Sequence, residues 1–197
     1  MLSDAERKPY VDAFVHTQQQ TQSYQAELKQ TVRIHGLQKP IESDGHIYYR
    51  APGSMRMDFT QPAGEYMLIT GDDMYLKKSN RAVIHRKATG PKSRPDQNAR
   101  MLLSLFQGGV DEWSEQFDVT IAREDDHLVV TLHPKQADAK AHGVEIENIV
   151  ALPSYDIRSI QIRFDKENSL TYDFTNAVRN ATLDDKLFVV PESDRKL

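Results

Sequence analysis

The residues best equipped for acid–base or metal chemistry in this chain are its seven histidines and the acidic pairs Asp72-Asp73, Asp125-Asp126 and Asp184-Asp185. A metal site needs imidazoles and carboxylates that converge, most simply on one face of a helix. His35, His46, His85, His127 and His133 instead fall in or beside separate strand-like runs or turns, and none pairs with another at ligand spacing on a helix. Each aspartate pair follows or begins a turn, where the side chain bonds nearby backbone. His133 and His142 flank the polar run Lys135-Gln136-Ala137-Asp138-Ala139-Lys140, which reads as a solvated loop. Cysteine is missing, and with it thiol nucleophiles, thiolate zinc sites and disulfides. No G-x-S-x-G, P-loop, G-x-G-x-x-G or H-E-x-x-H pattern occurs, so no residue can be named for catalysis, for a metal or for a cofactor. The expectation is a protein that binds, not an enzyme.

Composition narrows what it binds. The net charge is −4, and Lys and Arg are scattered among Asp and Glu without forming a stripe, so the electrostatic footprint of a nucleic-acid binder is lacking. A chain of 197 residues fits one domain, 1–197, large enough for a core without staples. No run reaches the ~18 apolar residues of a membrane span. The opening MLSDAERKPY has no apolar stretch, which fits either a cytoplasmic protein or one whose signal peptide has been removed ahead of Met1.

The elements that would position a binding surface are mostly strands. Val11, Phe14 and Val15 recur at helical spacing over 9–20, with Pro9 in the first turn dating the start to about Lys8. The period then changes to two: Ala26, Leu28, Val32 and Ile34 share a face, and the run ends at Gly36. Met55, Met57 and Phe59 lie opposite Ser54, Arg56 and Asp58, and Gln61-Pro62-Ala63-Gly64 turns into 66–70. Runs 74–78 and 82–86 form a hairpin around Ser79-Asn80, and Phe117, Val119 and Ile121 are answered by Leu128, Val130 and Leu132. Later strands are read at 144–152, 157–164, 170–175 and 187–190, about ten or eleven in all. Between the sets, 87–95 is a Gly/Pro/Ser loop, and Asp96 caps a helix whose stripe is Met101, Leu102, Leu105 and Phe106, ended by Gly108-Gly109. A short helical turn with Trp113 follows at 110–114.

A sheet this long with one apolar face needs that face filled, covered or occupied by ligand, and two helices are little cover for it. A cavity is one solution and a dry, tightly rolled core the other. Met55, Met57, Met67, Met74 and Met101 suit the first, because an unbranched polarizable side chain adapts to disordered apolar ligands, though core filling uses methionine as well. The cavity-lining set expected from alternation is Met55, Met57, Phe59, Leu68, Phe117, Val119, Val130, Ile160, Ile162 and Phe164.

Segment 47–86, IYYRAPGSMRMDFTQPAGEYMLITGDDMYLKKSNRAVIHR, resembles the most recognisable stretch of the LolA-like lipoprotein carriers, in which a strand leads to an Arg/Pro turn, an alternating strand, a Gln-Pro turn and an "ivsDG..lw.y" hairpin. The helical insert and closing strands follow in family order over about residues 9–190. The resemblance implies an incompletely closed antiparallel β-barrel covered by an N-terminal helix and lid helices. It also implies a periplasmic carrier, without ATP, metal or cofactor, that takes lipoprotein acyl chains from an inner-membrane ABC transporter to an outer-membrane acceptor, and a monomer is the expected form. Met101, Leu102, Leu105 and Phe106 would form the lid. A family arginine directly before the turn proline ties the lid; Ala51 stands there in this chain, which leaves Arg50, turned to the other face by alternation, and Arg56 as latch candidates. A lipid-sensing or scaffolding envelope protein, or a membrane-anchored acceptor, is the alternative on the same fold.

Overall fold

The computed structural model describes residues 1–79, 81–87, 94–135 and 145–195. Helix α1 (Asp4–Gln19) starts ahead of the expected Lys8 and carries Pro9 inside it. The reason is a capping pair: the Glu6 carboxylate accepts hydrogen bonds from the Ser3 backbone N–H at 2.8 Å and the Ser3 hydroxyl at 2.7 Å. With the first turn fixed, and Arg7 N–H already bonded to Ser3 O at 2.9 Å, the helix absorbs the donor that Pro9 lacks.

Strands β1 (Ser23–Arg33), β2 (Ile41–Arg50), β3 (Ser54–Gln61), β4 (Glu65–Thr70), β5 (Asp73–Lys77) and β6 (Ile84–Lys87) precede α2 (Arg94–Gln107) and α3 (Val110–Gln116). Then come β7 (Phe117–Arg123), β8 (His127–Pro134), β9 (Glu145–Ala151), β10 (Ile157–Arg163) and β11 (Ser169–Arg179). They make one sheet of eleven strands in the order β6-β5-β4-β3-β2-β1-β11-β10-β9-β8-β7, antiparallel in the pairings described and not closed, with β6 and β7 as its edges. Packing divides the chain into two compact units, to which β1, β2 and β11 each contribute residues on both sides.

The first unit comprises Met1–Thr17, Leu28–Glu42 and Gly108–Thr175. Its registers pair Val119 with Leu132 and Ile146, and Ile121 with Val130 and Asn148; Ile146 and Asn148 then face Ile162 and Ile160, which face Leu170 and Tyr172. Directly opposed residues share a side of the sheet, so alternation has built one continuous apolar face. Edge strand β7 is blunted by the chain's start: Leu2 N–H bonds Ile121 O at 2.8 Å and the Arg7 guanidinium bonds Val119 O at 2.7 Å.

The second unit comprises Gln18–Glu27, Ser43–Gln107 and Asn176–Leu197. Here Met57 pairs with Ile47 and Met67, Met55 with Tyr49 and Ile69, and Ile69 with Met74. The β2–β3 ladder contains a bulge at Asp44/Gly45, where a Cβ on Gly45 would stand 1.9 Å from Asp58 O, so only glycine permits the approach.

Three further expected elements change. Helix α2 begins at Arg94, so Asp96 stands within it and is not its cap. Ile34 lies beyond the end of β1 and is 45% exposed, so it does not continue the buried face of Ala26 and Leu28. Segment 187–190 is not a strand; a 3-10 helix, Asp185–Phe188, stands there, capped by the Asp184 carboxylate accepting from Lys186 N–H at 2.9 Å. The carbonyls of Leu187 and Val189 are taken by Arg56 instead of a ladder. Asn80, the 87–95 loop beyond Lys87 as far as residue 93, the 136–140 run with His142, and Val144 lie outside the described residues.

Candidate functional site

In the second unit the two sides of β2–β5 do different things. One side presents Met55, Met57, Met67, Ile69 and Met74, each 7% exposed or less, with Tyr49 beside them. Helix α2 packs on this side through Phe106, whose ring centroid lies 4.9 Å from that of Tyr24 and 5.8 Å from that of Tyr49. Leu102, Leu105 and Phe106 are buried and Met101 is half-buried, while Ala99 and Leu103, which the expected stripe omits, are buried as well. With Leu102 only 1% exposed, a glutamate there would have to bury its carboxylate, so Leu102→Glu is expected to cost folding as well as any lipid uptake. Gly108 ends the helix at φ 73°, a left-handed value suited to glycine.

The opposite side carries Tyr48, Arg56, Asp58, Tyr66, Leu68 and Tyr75, because Arg56 pairs with Tyr48 and Leu68 while Asp58 pairs with Tyr66. Leu68 therefore does not line the methionine face; it packs with Tyr66 and Phe188. The C-terminal segment lies over this side as a strap. Arg56 donates through Nε to Asp58 Oδ1 at 2.7 Å and through Nη1 to Leu187 O at 3.2 Å and Val189 O at 3.4 Å, with its guanidinium carbon 4.5 Å from the Tyr66 ring centroid. Arg50 pairs with Asp185 and lies 4.2 Å above the Phe188 ring. Both latch candidates thus hold the strap, and among the described residues neither bonds α2, since Tyr49 faces the helix and Arg50 must face away. The ties found on α2 are hydrogen bonds from Gln107 Nε2 to Pro52 O and from Arg100 Nη2 to Asp72 O at 3.4 Å.

The strap ends on Asp194, which accepts from the Tyr66 hydroxyl at 3.2 Å and pairs with Lys77. Burial, then the Asp194 charge, pushes the Tyr66 phenol up to about 12. In the first unit, burial pushes the Tyr172 phenol up to about 12 as well, partly offset by a hydrogen bond with Gln30 at 3.3 Å. A phenol whose folded pKa exceeds its unfolded value of 10 contributes stability that is present below pH about 10 and lost as pH rises toward about 12. The folded fraction in denaturant is therefore expected to drop across that window, and Asp194→Asn to move Tyr66 ionisation, followed by tyrosinate absorbance, to lower pH.

On the apolar face of the first unit, Ile160 and Ile162 are buried, and Phe117, Val119 and Val130 are half-buried on the same side. Phe164 lies past the end of β10, in the turn closed by its N–H on Asn168 O at 2.9 Å. Asn148, which alternation alone reads as one more inward position, stands 1% exposed in the row Ile121, Val130, Asn148, Ile160, Tyr172. Its Nδ2 reaches Val130 O at 3.5 Å, and its Oδ1 has no partner among the described residues. An orphaned buried carbonyl costs ~1–3 kcal/mol, so Asn148→Leu is expected to raise stability by about 1 kcal/mol in a urea melt.

Among the described residues, no three or more His, Asp or Glu side chains stand where they could hold a metal ion. No described helix is long and apolar enough to cross a membrane. The class the structure defines is an open, eleven-stranded antiparallel sheet with a helix packed beside its methionine-rich face. The chain belongs to the family described as outer membrane lipoprotein carrier protein LolA, which matches residues 19–191. It is 26% identical over 125 residues to the outer-membrane lipoprotein carrier protein of Chromohalobacter salexigens, a match covering 63% of this chain and 57% of that relative. In fold it is similar to an uncharacterized conserved protein of Thermus thermophilus (TM-score 0.59, 9% identity, 95% of this chain and 96% of the other). It is likewise similar to a chain in the Pseudomonas aeruginosa MucA/MucB complex (TM-score 0.55, 12% identity, 96% of this chain and 62% of the other).

Proposed function

We propose that the chain is a periplasmic carrier, one domain over 1–197, that binds the acyl chains of lipoproteins or a related lipid and shuttles them from the inner to the outer membrane. The observation that carries this reading is the methionine face of β2–β5 with α2 packed on it: four methionines on one side of one sheet segment form an adaptable apolar surface that acyl chains can occupy. Met55, Met57 and Phe59 contact the acyl chains, joined by Met67, Ile69 and Met74, and α2 acts as the lid. Phe117, Val119, Val130, Ile160 and Ile162 offer a second apolar surface to the same class of ligand. The protein carries no reaction of its own and hands cargo between an inner-membrane ABC transporter and an outer-membrane acceptor.

Hydrogen exchange with and without a bound fatty acid tests the lid. The amides of 101–106 are expected to exchange faster once ligand is bound, because loading displaces α2 from the face it covers. Protection equal to that of the central strands, unchanged by a ligand that does bind, makes α2 a fixed part of the core.

A second reading, a scaffold or lipid sensor that holds a protein partner, is favoured by the likeness to MucB, which has been solved in complex with MucA. Gentle purification followed by native mass spectrometry separates the two: retained lipid supports carriage, and a retained protein partner without lipid supports the scaffold.

A further inference from the structure

We propose that the turn joining β1 to β2 docks on an anionic lipid surface. Three large aliphatic side chains stand in solvent at this turn: Ile34 is 45% exposed, Leu37 52% and Ile41 49%. Isolated exposed aliphatics are ordinary, whereas three at one turn make a patch that calls for an occupant. The turn is also ordered. Leu37 N–H bonds Ile34 O at 3.1 Å, His35 N–H donates to Asn168 Oδ1 at 2.8 Å, and His35 Nδ1 lies 2.6 Å from the Glu167 carboxylate. At its tip Gly36 has φ 83°, and a Cβ there would meet nothing within 4 Å, so the tip projects into open space. Its side chains are therefore presented without first having to be organised.

Charge selects the occupant. Residues 33–41 contain Arg33 and Lys39 and no acid, although the chain as a whole carries −4. The carboxylates beside the turn are already engaged, Glu42 with Lys29 at 3.1 Å, Glu167 with His35, and Asp165 with the Asn168 amide at 2.7 Å. Arg33 and Lys39 have no acidic partner among the described residues. Aliphatic side chains on a projecting tip, flanked by free cations, match an interface whose acyl region is fluid and whose headgroups are negative. Residues 33–41 contain no Phe, Tyr or Trp, the large anchors that a shaped protein partner would use.

Flotation of the full chain with vesicles tests this. The protein is expected to float with phosphatidylcholine vesicles that contain phosphatidylglycerol and to stay behind with phosphatidylcholine alone. Arg33→Gln with Lys39→Gln is expected to weaken the anionic-vesicle binding roughly thirtyfold, taking two surface cations at the usual strength. Leu37→Glu should weaken it about tenfold or more. The altered side chains are exposed, so thermal melts of the variants should overlay the parent. Equal flotation on both vesicle types overturns the proposal, as does undiminished flotation of Leu37→Glu. Failure on both vesicle types overturns it too and leaves a protein as the occupant of the tip. The proposal stands apart from cargo carriage: a fluorescent fatty acid that fails to bind while vesicles do would remove the carrier reading and leave this one intact.

Discussion

Arg56→Leu is expected to destabilise the protein by about 2 kcal/mol, below the range for a fully buried ion pair because the Asp58 side chain is 32% exposed, and to lower Tm by roughly 4–8 °C for a chain of this size. Arg56 is 7% exposed, and its guanidinium donates through both Nε and Nη1. Leucine would fill part of the volume but leave Asp58 without its 2.7 Å partner and the carbonyls of Leu187 and Val189 without a donor. The strap then loses its central attachment. Protease sensitivity of 185–190 should rise in step with the fall in Tm, which distinguishes local release from general loosening. Arg56→Lys should recover only part of the loss, because an ammonium cannot present the same planar fork to a carboxylate and two carbonyls. Arg50→Leu is the natural comparison: its partner Asp185 is 92% exposed, so that surface pair is worth at most about 1 kcal/mol. A melt of Arg56→Leu within a degree or so of the parent's would mean that the strap adds nothing to stability.

Where one side of a strand is covered and the other is not, the fold is legible in the residues, because period two then carries the information. Ile121 against Val130 and Val119 against Leu132 come directly from alternation, and so does the common side of Met55 and Met57. Strand β4 shows the limit. Tyr66, Met67, Leu68 and Ile69 are all buried, so both sides are covered and a continuous apolar run gives no sign of which residue faces where. That run puts Leu68 on the methionine face, and only the pairing with Arg56 places it opposite. Segment 187–190 misleads for a related reason: an apolar tetrad reads as a strand, but its carbonyls meet a buried arginine donated by a strand far away in sequence. The start of α1 differs in kind. Ser3-x-x-Glu6 is visible as a capping signal, and it prevails over the rule that puts proline in the first turn. For the candidate site, alternation does turn Arg50 away from the side on which α2 packs; what it addresses there is set by tertiary contact alone.

Phe106→Ala is expected to lower stability and raise ligand affinity together, a combination that a fixed core residue does not produce. Phe106 is 0% exposed and packs between Tyr24 and Tyr49. Truncating a buried phenylalanine typically costs about 3–5 kcal/mol, part of it from the cavity left behind. In a carrier whose lid must leave the methionine face before acyl chains can take it, those contacts belong to the closed, empty form and are absent from the loaded one. Weakening them shifts the population toward the state that binds, and the affinity otherwise lost to closure is recovered. If only about 1.4 kcal/mol of the closed-state loss is expressed in this way, binding tightens tenfold. Titration with a fluorescent fatty acid beside a thermal melt reads both quantities on one preparation. A lower Tm with affinity unchanged or weakened would instead assign Phe106 to a core that stays in place whether or not ligand is bound. Met101→Ala serves as the internal scale, since Met101 is half-buried on the same helix and should move both readouts in the same directions by smaller amounts.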